Sequence, residues 1–143
     1  MTDSREIEEL IPHRGAMCLL ERVVEWDADH IVTATHTHRA CANPLRMGER
    51  LHALHLCEYA AQAMAVHGGL LARAAGAAGK PGLLVALRDV RLGRARIDDL
   101  PQELRVAAVR LLASASSWQY SFSVHHGAEL LATGRAAIIA RKG

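Results

Sequence analysis

The chain has 143 residues, half of them apolar and 22% charged, which suits one domain with a single core and argues against disorder. Aromatic residues make up 3%, too few for base stacking, and no nucleic-acid motif is visible, so a nucleic-acid partner is not expected. The formal net charge of +2 divides unevenly: residues 1 to 70 hold 6 Lys/Arg against 10 Asp/Glu, and residues 71 to 143 hold 11 against 5. Such a split can steer an acidic partner toward the second half; arginines that merely solvate strand faces are the plain alternative.

No apolar run approaches the ~20 residues of a membrane span, and the acidic start MTDSREIEELIP lacks a secretory pattern, so a cytoplasmic protein is expected. Cys18, Cys41 and Cys57 form no C-x-x-C pair and read as three small buried side chains in a reducing compartment.

Taken in chain order, IEELIPHRGAM reads as a helical turn stopped before Pro12. MCLLERVVEWD and HIVTATHTH read as a hairpin turning at Asp27-Ala28-Asp29, and Arg39 to Gly48 is a loop marked by Asn43-Pro44. Glu49 to about Arg73 is the one long helix, rich in alanine and leucine and stopped by GAAGKPG. GLLVALRDVRLGRARI, ELRVAAVRLLAS, WQYSFSVHHG and ELLATGRAAIIAR follow as four strands; in the third, Trp118, Tyr120, Phe122 and Val124 share one face. Strands without intervening helices pair antiparallel, so the class is α+β, a curved sheet wrapped around a single helix. Alanines at 53, 60, 61, 63 and 65 would let that sheet approach closely.

On the helix, His52, His55, Glu58 or Tyr59, and Gln62 recur at intervals of three or four and make one polar stripe, which either faces water or faces a ligand. His36-x-His38 and the group His52, His55, Glu58 offer metal-ligand types, but the spacing matches no established zinc signature and no metal is expected.

Two phrases carry a family resemblance. IPHRGAMCLLERVVEWD, with Pro-His-Arg before an apolar strand, and EYAAQA, with an acid four positions before Gln, resemble the hotdog-fold β-hydroxyacyl-acyl-carrier-protein dehydratases of the FabZ/FabA type. The wording is most similar to the ApeP-like branch associated with aryl polyene pathways. The resemblance spans nearly the whole chain in element order and implies a single hotdog domain over 1–143, an antiparallel curved sheet around one long central helix. It places the catalytic acid at Glu58 and the neighbouring amide at Gln62. Fourteen residues before the acid, where the family keeps a loop histidine, this chain has Pro44; five before it, where the family has a glycine, it has Ala53.

Eliminating water from a 3-hydroxyacyl thioester needs a base for the C2 proton, an acid for the departing hydroxyl, and donors for the thioester oxygen. Glu58 among Leu54, Leu56, Ala61 and Ala65 is expected to be partly desolvated, which favours the proton-bearing form of an acid. Backbone N–H groups of the first helical turn, Glu49 to Ala53, would face the oxyanion. His38, His52, His55 and His13 are the candidates for the missing base: His38 lies in the loop before the helix, His52 and His55 share the helix with Glu58, which His55 could touch, and His13 belongs to a phrase that is more often structural in the resembling family. Arg88, Arg91, Arg94 and Arg96 form a basic strand where an acidic acyl carrier protein or its phosphopantetheine would dock.

The expected activity is 3-hydroxyacyl-carrier dehydration in fatty-acid or aryl-polyene type biosynthesis, without a cofactor beyond the phosphopantetheine or CoA that carries the substrate. A hotdog thioesterase and a non-catalytic acyl-binding subunit are the alternatives. An open sheet edge implies a homodimer or larger. Having Glu58 without the loop histidine also fits a mixed pair with a related dehydratase that brings it.

Overall fold

The computed structural model describes residues 2–77 and 82–140. Seven strands, β1 (Thr2–Asp3), β2 (Arg22–Trp26), β3 (His30–Thr35), β4 (Gly82–Leu92), β5 (Leu104–Ala113), β6 (Ser117–His126) and β7 (Glu129–Ala140), form one sheet in the order β1-β2-β3-β5-β6-β7-β4. Every neighbouring pair is antiparallel. The α-helices among the described residues are the short α1 (Ser4–Leu10) and the long α2 (Leu56–Ala74).

Period-2 patterning sets which face of the sheet meets the helix. In β5, Leu104, Val106 and Ala108 are buried while Arg105 and Val109 are exposed; in β6, Tyr120, Phe122 and Val124 are buried. That face packs on α2, which buries Leu56, Tyr59, Ala60, Ala63, Met64, Val66 and Leu70, each large apolar side chain stabilising the fold by roughly 1.5–3 kcal/mol. Because α2 follows β3 and precedes β4, and these strands lie on opposite sides of the β5-β6-β7 group, the helix crosses the concave face of the sheet. α1 packs on α2 at Gly69, where an added Cβ would lie 3.1 Å from Leu10 Cβ.

Element order and the α+β class match the sequence expectation, with several local differences. The long helix begins at Leu56 rather than Glu49: residues 49–52 are extended or turning, and Ala53–His55 is a 3-10 turn. Its cause lies outside the segment, since Leu51 N donates to Asp98 Oδ1 at 2.8 Å and Ala53 N to Ala95 O at 2.8 Å. The first strand is shorter than MCLLERVVEWD, because Met17 to Leu19 is held by side chains of α2 and the β3 end instead of a strand partner. β4 stops at Leu92, short of Ile97. Cys18 and Cys57 are buried with their thiols pushed up by desolvation, whereas Cys41 is exposed, contrary to expectation; all three are free. Residues 78–81 of the helix-breaking phrase and Arg141 of the last strand lie outside the described residues. No helix among the described residues is long and apolar enough to cross a membrane.

Candidate active site

One face of α2 is built almost without side chains. Glu58, Ala61, Ala65, Gly68 and Ala72 recur at alternating intervals of three and four, the spacing of a single helical face, and all five line a groove of about 1000 Å³. Residues 9–13 from the end of α1 form one wall; Arg110, Trp118, Tyr120, Leu84 and Ile138 of the sheet form the other. The small residues explain why there is space, and at Gly68 an added Cβ would meet nothing within 4 Å. Of the alanines expected to admit the sheet, Ala53, Ala60 and Ala63 are fully buried, whereas Ala61 and Ala65 line the groove, Ala65 also packing against the core.

Glu58 lies in the first turns of α2, at the end of this groove nearest the helix start, and is exposed in the single chain. The desolvation expected from its apolar neighbours is therefore absent until something covers it. The other members of the expected polar stripe diverge. Gln62 is buried and lies at the groove wall with its amide spent on the backbone: Oε1 accepts from Leu19 N at 2.8 Å and Nε2 donates to Met17 O at 2.7 Å. Tyr59 is fully buried, its hydroxyl 2.9 Å from Thr37 Oγ1 and accepting from Asn43 Nδ2 at 2.9 Å. This ties the loop that carries Pro44 to the helix.

The histidines are placed differently from expectation. His38 is fully buried, and its Nε2 donates to Leu100 O at 2.9 Å; desolvation lowers its proton affinity. His52 Nδ1 accepts from Leu54 N at 3.0 Å and so caps the 3-10 turn. Neither lines the groove, nor does His55. The imidazole that does line it with Glu58 is that of His13, whose Nδ1 has no hydrogen-bond partner among the described residues. The signal for it was the Pro-His-Arg phrase, which packs against α2 because Gln62 pins the segment just after it.

Two further expectations change. Ala53 N–H is bonded to Ala95 O and is not free for an oxyanion. Arg94 pairs with Glu129 at 3.3 Å and Asp99 at 3.9 Å, and Arg96 is held by Asp98 at 2.8 Å, so neither is a free basic group. Arg88 and Arg91 do share a face. In β4 Arg88 is opposite Arg135 and Arg91 opposite Thr133, which puts three residues against two; the bulge, with Asp89 at φ 53, turns Arg91 onto the Arg88 face and adds Arg135 to the group. Among the described residues no three His, Cys, Asp or Glu side chains gather as a metal-ligand group.

A curved antiparallel sheet around one long helix, with a carboxylate at the head of an apolar groove along that helix, defines a hotdog-fold protein. The family model described as ApeP dehydratase matches residues 5–142, and the chain belongs to this ApeP-like dehydratase family. Among solved structures it is similar to the dehydratase heterocomplex ApeI:P from Xenorhabdus doucetiae, with 22% identity, 95% of this chain and 91% of that chain covered, and a TM-score of 0.86. A hypothetical thioesterase with coenzyme A from Streptococcus pneumoniae shares the fold at 11% identity, 84% of each chain covered and TM-score 0.61. Zebra fish thioesterase superfamily member 2 does so at 15% identity, with 96% of this chain and 95% of that chain covered and TM-score 0.62. No curated protein sequence matches the chain.

Proposed function

We propose that the protein dehydrates 3-hydroxyacyl groups carried on an acyl carrier protein, of the kind used in fatty-acid or aryl polyene biosynthesis. The observation that carries this reading is Glu58 at the head of a groove floored by Ala61, Ala65 and Gly68, in a chain of a dehydratase family. The acyl chain lies along α2 with its C3 hydroxyl at Glu58. A base removes the C2 proton, the electron pair forms the C2–C3 double bond, and the hydroxyl leaves as water with the Glu58 proton. The test is incubation with a 3-hydroxyacyl-carrier substrate, following enoyl formation; release of free thiol without enoyl product would favour a thioesterase instead.

The base comes from a second subunit. Pro44 occupies the position of the family's loop histidine, His38 is buried away from the groove with its Nε2 bonded to Leu100 O, and His52, whose Nδ1 caps the 3-10 turn, does not line the groove either. Among the described residues no strand pairs with the outer edge of β4, and this strand exposes Leu83, Val85 and Leu87, by 45%, 50% and 40%; long apolar edges are normally covered. A related dehydratase subunit bringing a loop histidine across such an interface would complete the site and cover Glu58. Supporting this, the similar Xenorhabdus structure is a heterocomplex. A stable, fully active monomer would overturn the pairing.

His13 supports a second reading, in which one chain suffices. It is the histidine that shares the groove with Glu58, and robust turnover by the purified chain that His13→Ala abolishes would establish it. Arg88, Arg91 and Arg135 provide the docking face for the acidic carrier.

A further inference from the structure

Nine residues beyond Glu58 on α2, about 13 Å along the axis at 1.5 Å per residue, the groove reaches polar side chains that the elimination does not use. His67 is fully buried. Its Nε2 lies 2.8 Å from Asp27 O and its Nδ1 2.7 Å from Tyr120 Oη. A carbonyl oxygen only accepts, so Nε2 carries the hydrogen; burial disfavours a second proton on the ring, which leaves Nδ1 as a lone pair. The Tyr120 hydroxyl therefore donates to Nδ1. Burial also pushes the Tyr120 phenol up to about 12, so it keeps its proton, and its oxygen can only accept from anything else.

Tyr120 lines the groove beside Trp118 and Arg110. Arg110 is the cross-strand partner of Tyr120, and its guanidinium is paired with no carboxylate among the described residues. A group that only donates thus stands beside one fixed to accept. We propose that this end of the groove is a polar subsite for a hydroxyl group at the tail of the acyl chain, which donates to Tyr120 Oη and accepts from Arg110. A methyl tail leaves both protein groups unmatched, and a carboxylate tail satisfies Arg110 while setting lone pairs against the Tyr120 oxygen. His67 is a positioning residue: it fixes which way the phenol points its hydrogen.

The inference rests on the reading of the groove as an acyl site, and its test is a binding measurement that needs no turnover. The chain has two tryptophans, so in a Trp26→Phe background the fluorescence of Trp118 reports on the groove. The probes are non-hydrolysable N-acetylcysteamine thioethers of one chain length, roughly thirteen carbons, so that with C3 at Glu58 about ten further bonds, each advancing an extended chain by ~1.3 Å, span the distance, ending in hydroxyl, methyl or carboxylate. The hydroxyl tail is expected to bind about five- to tenfold tighter than the methyl tail, the worth of one or two net hydrogen bonds, and Tyr120→Phe should erase that preference while sparing methyl-tail binding. In His67→Leu the freed phenol can donate, so the carboxylate tail should gain on the hydroxyl tail, a change of selectivity that simple loosening of the core would not produce. Arg110→Met, at a half-buried position, carries the test if Tyr120→Phe does not fold, and should also reduce the preference. Equal binding of hydroxyl and methyl tails by the unaltered chain, or a preference that survives these substitutions, overturns the subsite. A chain that keeps the preference and eliminates no water overturns the dehydratase reading alone.

Discussion

The Gln62 amide oxygen accepts a hydrogen bond from Leu19 N at 2.8 Å, joining the long helix to a segment 43 residues earlier. With Nε2 donating to Met17 O at 2.7 Å, both ends of a 2% exposed side chain are committed to backbone, so the residue shapes the groove wall and is not available to a ligand. Gln62→Met keeps the volume and removes both bonds, leaving a buried N–H and a part-buried carbonyl unmatched at a cost of about 2–4 kcal/mol. Urea unfolding measures this; a loss below roughly 0.5 kcal/mol would mean that these groups find other partners.

Glu58 has the opposite character. It is exposed and its side chain makes no hydrogen bond among the described residues, so Glu58→Gln should leave the unfolding midpoint unchanged while reducing enoyl formation about 10²–10⁴-fold. Adding a loop-histidine dehydratase subunit should raise the turnover of the unaltered chain and fail to rescue Glu58→Gln. Rescue of that variant by the partner would place the working acid on the other subunit.

Gly68 sets a length limit. It lies ten residues beyond Glu58, about 15 Å along the helix, and its added Cβ meets nothing within 4 Å. Gly68→Leu should fold at least as well, since leucine favours a helix over glycine by nearly 1 kcal/mol, yet its side chain would fill the groove. Long acyl substrates should then lose turnover while short ones retain it. An unchanged chain-length profile would mean that the acyl group does not run along this face.

The Arg88 and Arg91 face makes a distinction between carriers. Replacing both with Glu should weaken turnover of carrier-bound substrate, most strongly at low salt, and leave turnover of a small N-acetylcysteamine thioester unaffected. Equal loss on both substrates would place these arginines in the site itself.

What was legible in the sequence follows from range. Periodicity within one strand or helix reports local geometry, so β6 and the element order could be read directly, and EYAAQA located Glu58. Residues four apart on a helix differ by about 40° in direction, enough for Glu58 to face the groove while Gln62 turns toward Leu19. No periodic pattern carries that difference. The late start of α2 depends on Asp98, 47 residues beyond Leu51, and the burial of His38 on a bond to Leu100, 62 residues away. Arg94 looked free because Glu129 reaches it only once β7 is in place. The role of small residues was legible in composition for only one face: Ala53, Ala60 and Ala63 are buried in the core as expected, while Ala61 and Ala65 also line the groove, which composition does not show.

Buried histidines give the fold a dependence on pH whose sign is fixed. Desolvation lowers the proton affinity of both His67 and His38 in the folded chain, while unfolded imidazole titrates near 6.5. Above that value both rings are neutral in either state and the full stability is present. As pH falls through 6.5 toward the lower folded values, the unfolded chain takes up protons that the folded chain refuses, and stability drops by up to ~1.4 kcal/mol per pH unit for each ring. His67 is faced by Asp27, His30 and Arg110, and His38 by His36, Arg39 and His126. His30 acts in the opposite sense, because its bond to Asp27 raises its proton affinity, but it is part-exposed and single against two. The carboxylates held down by cationic or hydrogen-bonding partners, Asp27, Asp98 and Glu103, lose their contribution only as pH falls through the lower carboxylate range, well below this window. Urea unfolding at pH 7.5 and 5.5 should therefore show a clear loss in the unaltered chain and a smaller loss in His67→Leu, whatever that variant's absolute stability. The same stability at both pH values in the unaltered chain would mean that the rings take up protons as readily folded as unfolded, and the hydrogen-bond roles assigned to His67 and Tyr120 would have to be reversed.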